Sequence, residues 1–85
     1  MKMMIVIVRD QDADQLTQKI TAGNLRVTRV ASTGGLLRSG VVTLLIGLEN
    51  EQVDRTVELI RAGLAPAQER RATIFVVPVD RFEQI

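Results

Sequence analysis

Hydrophobic residues recur along this chain with two different spacings, and each change of spacing marks a new structural element. Lys2 to Arg9 is a run rich in Ile and Val without helical spacing, which predicts a strand that is buried on both faces. The next apolar residues share one helical face: Ala13, Leu16 and Ile20. Asp10 and Asp12 are candidate N-caps of this helix, and Gly23 and Asn24 predict its C-terminal end.

The second half of the chain begins with a predicted hairpin. Leu25 to Ser32 alternates apolar and polar residues, and Val41 to Leu48 is nearly continuous in apolar residues, so the two segments predict paired strands. Asn50 is a candidate cap of a second helix, whose apolar residues recur at helical intervals: Val53, Val57, Ile60 and Leu64. A polar link, Ala65 to Arg71, leads to a last strand from Ala72 to Val79.

The predicted order of strand, helix, strand, strand, helix, strand is that of a ferredoxin-like βαββαβ sandwich, an α+β fold, in a single domain spanning residues 1–85. Right-handed crossovers in its two halves give an antiparallel sheet of order 4-1-3-2 with both helices on one face. Pro78 then lies on an edge strand, which tolerates a residue without a backbone N–H.

The other sheet face is predicted to remain free of helices, although the central strands carry apolar residues at both parities. From Met3 to Val8 and from Val41 to Ile46, both the odd and the even positions include large apolar residues. Large apolar side chains therefore lie on the uncovered face, whichever face the helices cover. An exposed apolar surface of this size indicates a partner. We therefore expect a homo-oligomer, for which closed cyclic symmetry is the usual arrangement.

Composition excludes several classes of function. The chain has no Cys and no His, so disulfides, the usual zinc sites and nucleophile–histidine pairs cannot form. Eleven Lys and Arg nearly balance ten Asp and Glu, and only two residues are aromatic, which argues against a nucleic-acid partner. The longest apolar run is too short to cross a bilayer. We expect a cytoplasmic protein with no membrane insertion, no metal and no cofactor.

The stretch ASTGGLLRSG, from Ala31 to Gly40, concentrates glycine, hydroxyl groups and one positive charge between the hairpin strands. Consecutive glycines allow backbone N–H groups to approach an anion. The stretch lacks the spacing of a Walker or GxGxxG loop and opens no helix. From these residues alone, it is either a solvated hairpin loop or an anion site.

Four segments, in this order, resemble the cyclic di-AMP receptor family of PII-like signalling proteins: MKMMIVIVRDQD, NLRVTRVASTGGLLRSG, NEQVDRTVELI and ATIFVVPVDRFEQI. The resemblance covers nearly the whole chain and is most specific in the second segment. It implies a PII-like homotrimer of ferredoxin-like subunits that binds cyclic di-AMP in the clefts between neighbours. It also implies signal transduction to an unidentified downstream protein, without catalytic activity.

The resemblance further implies a ligand site of nine residues: Asn24, Arg26, Thr28, Gly35, Leu36, Leu37, Gly47, Phe75 and Gln84. The amides of Asn24 and Gln84 suit the polar edge of adenine. Thr28 and the N–H groups of the turn suit phosphate, and Arg26 supplies charge or a planar stacking surface. Structural roles compete with these, such as a left-handed helix cap for Asn24 and a core or interface position for Phe75.

The chain departs from the family pattern in three places. Leu36 stands where most members have Phe, and Val41 stands where many have Asn. The short link GLAPAQERR takes the place of a long loop. A different ligand is the second alternative: the adjacent Arg70 and Arg71 could bind the phosphates of ATP, ADP or AMP, or a small anion. If they do not, we interpret them as surface charges. A ligand-free structural trimer is the third alternative. Catalysis is disfavoured, because the acidic residues gather at predicted helix starts, where capping accounts for them.

Overall fold

The computed structural model describes residues 1–30, 40–64 and 71–85, and within them the chain forms four strands and two helices. In chain order, the elements are β1 (Lys2–Arg9), α1 (Asp10–Ala22), β2 (Val27–Val30), β3 (Val41–Leu48), a 3-10 turn (Asn50–Gln52), α2 (Val53–Gly63) and β4 (Ala72–Pro78). The order of element types is the one that the hydrophobic spacing predicts.

All strand pairs are antiparallel, and the sheet order is β2-β3-β1-β4. This is the predicted order 4-1-3-2 read from the other edge, so the α+β class and the strand order are confirmed. β1 pairs with β3 along its whole length and with β4 on its other side. Pro78 lies on the edge strand β4, as its missing N–H requires.

Two ends of the sheet follow from this pairing. Met1, the end of β3 and the end of β4 lie together at one end, which we call the Met1 end. The start of α1, the start of β3 and the start of β4 lie together at the other end, which we call the Asp10 end. Because β2 pairs antiparallel with β3, β2 begins towards the Met1 end and finishes towards the Asp10 end.

The core lies between the helices and one sheet face, which we call the helix-covered face. The sheet contributes its even-numbered residues, all buried: Met4, Val6, Val8, Val42, Leu44, Ile46 and Leu48. The helices contribute residues of their apolar stripes, also buried: Ala13, Leu16, Ile20 and Ile60. The predicted helix faces therefore pack where the spacing places them.

Both predicted N-caps are wrong in detail. α1 begins at Asp10 without a linker after β1, so Arg9 is the N-cap residue and Asp10 and Asp12 lie inside the first turn. The second helix begins with the 3-10 turn, where the Gln52 side chain accepts a hydrogen bond of 2.8 Å from the backbone N–H of Glu49. Glu49 therefore takes the cap position expected for Asn50. β2 also starts two residues later than the alternation suggests, at Val27.

Candidate ligand-binding site

The odd-numbered residues of the central strands form the second sheet face, which no helix of the described chain covers. We call this the helix-free face; its apolar members include Met3, Ile5, Ile7, Leu45, Phe75 and Val77. They are half-buried or exposed, and Phe75 retains 53% of its accessible surface. Within residues 1–30, 40–64 and 71–85, the expectation that the helices leave one apolar sheet face uncovered is confirmed.

Three residues of the predicted ligand site lie together at the β2 edge of this face. Thr28 pairs with Leu45, which places its side chain on the helix-free face. Arg26 lies just before β2, and extending this register by one residue would place it opposite Gly47 of β3. All three site residues are exposed. Their grouping follows from parity and register, since residues of the same parity on paired strands share a face.

Gly47 opens a space within this group. A Cβ atom built on it would meet no atom of the described residues within 4 Å. Glycine in a strand interior weakens the strand, and such a position often marks a close approach of a ligand or another backbone. The helix-free face is therefore flat beside Arg26, where a side chain would otherwise project.

Asn24 connects α1 to this edge. Its φ is 66°, in the left-handed region, and its backbone N–H donates to the Thr21 carbonyl oxygen at 3.0 Å. The backbone role predicted for Asn24 at the end of the helix is therefore confirmed, because asparagine adopts this conformation more readily than most residues. Its side chain is exposed and lies two residues before Arg26 in the chain.

Phe75 lies at the opposite edge of the sheet. One cross-strand row runs Thr28, Leu45, Ile5 and Phe75. Three interstrand steps separate the two ends of this row, about 14 Å in total. Within one chain, the structure does not bring Phe75 together with Thr28 and its neighbours.

Gln84 belongs to the exposed segment that follows β4. The backbone N–H of Val79 donates to the Met1 carbonyl oxygen at 3.1 Å, so this segment leaves the sheet at the Met1 end. Phe82 and Ile85 in the same segment are exposed apolar residues. The segment that carries Gln84 therefore begins at the Met1 end of the sheet, where Asn24 and Arg26 also lie. It begins at the β4 edge, however, whereas Asn24 and Arg26 lie at the β2 edge.

The remaining predicted site residues, Gly35, Leu36 and Leu37, lie outside the described residues. The residues that flank this stretch, Val30 and Gly40, lie at the Asp10 end. The Gly40 carbonyl oxygen accepts a hydrogen bond of 2.7 Å from the Asp10 N–H, and this glycine has a φ of 89°. The chain thus enters β3 through a left-handed position that favours glycine.

Sequence reasoning missed the ion pairs at the start of α1. Arg29 of β2 donates to Asp14 at 2.5 Å and to Asp10 at 3.4 Å, and the hydrogen bond to Asp14 raises the pKa of this guanidinium. Arg71 donates to Asp12 at 2.5 Å, and both side chains are largely buried. Arg71 is therefore not the surface charge that its position in a polar link suggests, and Asp12 binds Arg71 where a cap was expected.

The Asp12–Arg71 pair also affects the alternative in which two arginines bind an ATP-like ligand. Asp12 holds Arg71, one of the two arginines considered for an ATP-like ligand, and Arg70 lies outside the described residues. Within residues 1–30, 40–64 and 71–85, no three acidic side chains cluster closely enough to hold a metal ion. Neither described helix has the length and hydrophobicity that a membrane crossing needs.

The sequence pattern of the cyclic-di-AMP receptor family matches residues 1–71. The chain belongs to this receptor family. It is also similar to a functionally unknown protein from Pediococcus pentosaceus ATCC 25745, whose crystal structure matches with a TM-score of 0.80 and 37% sequence identity over 99% of this chain and 96% of that one. The receptor match includes every predicted site residue except Phe75 and Gln84, which follow residue 71.

Proposed function

We propose that residues 1–85 form one PII-like domain that binds cyclic di-AMP in clefts between the subunits of a homotrimer. Membership of the receptor family carries the ligand assignment. The geometry supports a cleft at the β2 edge, where Arg26, Thr28 and Gly47 share an exposed patch.

The need for a second subunit is supported by the distance across the sheet. Thr28 and Phe75 share a face but lie at opposite edges, about 14 Å apart, too far for both to hold one base within a single chain. A neighbour that brings its β4 edge beside the β2 edge of the first chain unites them. The apolar helix-free face supplies the surface that favours such an assembly.

Each proposed contact matches a part of the ligand. Arg26 offers a guanidinium for a phosphate or for stacking, and the Thr28 hydroxyl offers a donor for a phosphate oxygen. Gly47 leaves room for the flat face of a purine. Phe75 and Gln84 of the neighbour then provide a ring and an amide for the base. Binding would change a surface read by a downstream protein, without a bond-making step.

The proposal is tested by isothermal titration calorimetry, because the chain has neither Trp nor Tyr to report binding by fluorescence. Cyclic di-AMP is titrated alongside ATP, ADP, AMP and cyclic di-GMP. We expect selective binding of about one cyclic di-AMP per chain, and native mass spectrometry is expected to show three chains per particle. Selective binding of ATP or AMP would overturn the ligand assignment, and a trimer that binds none of these nucleotides would indicate a structural role.

The site is tested with Arg26→Ala. Loss of a charge-assisted contact is expected to weaken cyclic di-AMP binding by about tenfold to a hundredfold without dissolving the trimer. The matched control is Arg61→Ala, which removes an exposed arginine of α2 that pairs with Glu58. Equal affinity of the Arg26→Ala variant and the control would remove Arg26 from the site.

A further inference from the structure

The edge strand β4 carries large apolar residues on both of its faces. Ile74 and Val76 share the parity of the helix-covered face, and Phe75 and Val77 that of the helix-free face. A shift of β4 by one residue along β1 exchanges these two sets. Since both sets are apolar, the hydrophobic pattern by itself hardly distinguishes the two registers.

Among the described strands, β1 alone pairs with β4, because the sheet order ends there. In the observed register, Ile5 pairs with Phe75 and Ile7 with Thr73. A sequence with weak patterning at a sheet edge is prone to slip unless something else fixes the register. The described residues provide such a feature at each end of β4.

The first feature is the ion pair at the start of the strand. Arg71, directly before β4, donates to Asp12 in the first turn of α1 at 2.5 Å. Their side chains retain 17% and 10% of their accessible surface, in contrast to 40% and 82% for Arg29 and its partner Asp14. Because separating a largely desolvated pair leaves a buried charge, a shifted β4 would carry a penalty that an exposed pair would not impose.

The second feature is Pro78 at the end of the strand. The Val79 N–H bonds to Met1, so in the alternating antiparallel ladder the nitrogen of Pro78 points away from β1. A shift by one residue would turn Pro78 towards β1, at a position that needs a donor. The two features therefore oppose the same displacement from opposite ends of the strand.

We propose that the Asp12–Arg71 ion pair, assisted by Pro78, fixes the register of β4 on β1 and thereby keeps Phe75 on the helix-free face. Asp12 and Arg71 are then positioning residues. Their consequence for ligand binding rests on the proposed function, whereas the register itself does not.

The test measures register by disulfide formation in a chain that has no cysteine of its own. Ile7→Cys with Thr73→Cys reports the observed register, since Ile7 and Thr73 are direct partners. Ile7→Cys with Ala72→Cys, and with Ile74→Cys, report shifts by one residue in either direction. In the otherwise unchanged protein, only the Thr73 pair is expected to oxidise readily, because the Cα atoms of directly opposed residues lie about 5.5 Å apart, within the range that a disulfide spans, and their side chains share one face.

Each cysteine pair is then combined with Asp12→Leu and Arg71→Met. Replacing both charges by apolar residues avoids leaving one charge buried and unpaired, so the variant is expected to fold. We expect the shifted pairs to gain a disulfide yield at least fivefold above background, with a further increase on adding Pro78→Val. Arg71→Lys alone retains the cation and is expected to keep the shifted pairs at background.

Two results would overturn the proposal. If the Asp12→Leu/Arg71→Met protein is folded by circular dichroism and still oxidises only the Thr73 pair, other contacts fix the register. If Arg71→Lys raises the disulfide yield of the shifted pairs as much as the double replacement does, the positive charge does not fix the register. Neither readout contains a nucleotide, so a failure of cyclic di-AMP binding leaves this test intact.

Discussion

The two faces of the sheet are built from the same kinds of residue, but within the described part of the chain the helices cover only one of them. Leu44 and Leu45 are neighbours on β3; Leu44 is fully buried under the helices, and Leu45 points to the helix-free face, where it is half-buried. The same contrast separates Met4 from Ile5 on β1. What distinguishes the faces is therefore the covering element and not the strand sequence.

The covering is limited by the number of helices. Two amphipathic helices with one apolar stripe each cover one face of a four-stranded sheet, and the connections place both on the same side. The helix-free face keeps its apolar residues although nothing in the described chain covers it. A surface with the composition of a core and the exposure of an exterior is expected to be completed by another molecule.

The largest expected effect is that of a charge on the helix-covered face. Leu44→Asp buries an unpaired carboxylate where the native side chain has no exposed surface. The cost of several kcal/mol is comparable to the whole stability of a small domain, about 5–15 kcal/mol. We expect loss of the cooperative thermal transition by circular dichroism. A folded Leu44→Asp protein with a near-normal midpoint would contradict the assignment of this face as the core.

The same substitution one residue further along the strand is expected to act on assembly. Leu45→Asp places the charge on the helix-free face, in the row between Thr28 and Ile5. Each chain keeps its own core, so we expect a folded monomer, with the mass measured by sedimentation velocity and the fold by circular dichroism. An unchanged trimer would show that subunits meet elsewhere, and unfolding as severe as that of Leu44→Asp would remove the contrast between the faces.

The sequence was sufficient for the strand order and for the two faces, because both depend on local periodicity. The runs in β1 and β3 alternate with helical stripes, and that alternation limits the topology to few arrangements. Helix starts were less predictable. Asp12 resembles a cap by its position, but its partner Arg71 is 59 residues away in the chain, and only the tertiary fold brings the two together.

In the candidate site, too, some features follow from local spacing and others depend on the tertiary fold. That Arg26 and Thr28 share a face follows from their spacing, whereas their position beside Gly47 depends on the register of β2 on β3, which spacing does not determine. The separation of Phe75 from Thr28 follows from the sheet order, since each lies on a different edge strand. The predicted site residues are therefore compatible with one ligand only if, as we propose, two chains contribute them.

Gly47 provides a sharper test of the helix-free face. Gly47→Val adds a β-branched side chain in open space among the described residues, so we expect unchanged or slightly higher stability in urea titrations. Filling the same space is expected to weaken cyclic di-AMP binding by about fivefold to a hundredfold, the equivalent of the overpacking cost of about 1–3 kcal/mol. For this comparison, the variant must keep the oligomeric state of the unchanged protein by native mass spectrometry. Unchanged affinity in a variant with that oligomeric state would place the ligand away from Gly47.

The smallest effects are expected from substitutions on the edge strand β2. Its adjacent residues Thr28 and Arg29 lie on opposite faces of the sheet. Thr28→Val removes one hydroxyl from the helix-free face while keeping the shape of the side chain, and we expect cyclic di-AMP to bind about threefold to tenfold more weakly.

Arg29→Gln acts on the other face, where the side chain reaches Asp10 and Asp14 of α1. Arg29 is paired with Leu44 in the ladder, so it points away from the proposed cleft. Because its ion pairs are exposed and solvent screens them, we expect neither the affinity in calorimetry nor the midpoint of urea unfolding to change beyond experimental error. Weaker binding in Arg29→Gln with normal binding in Thr28→Val would reverse the assignment, because it would place the ligand on the face that the helices cover.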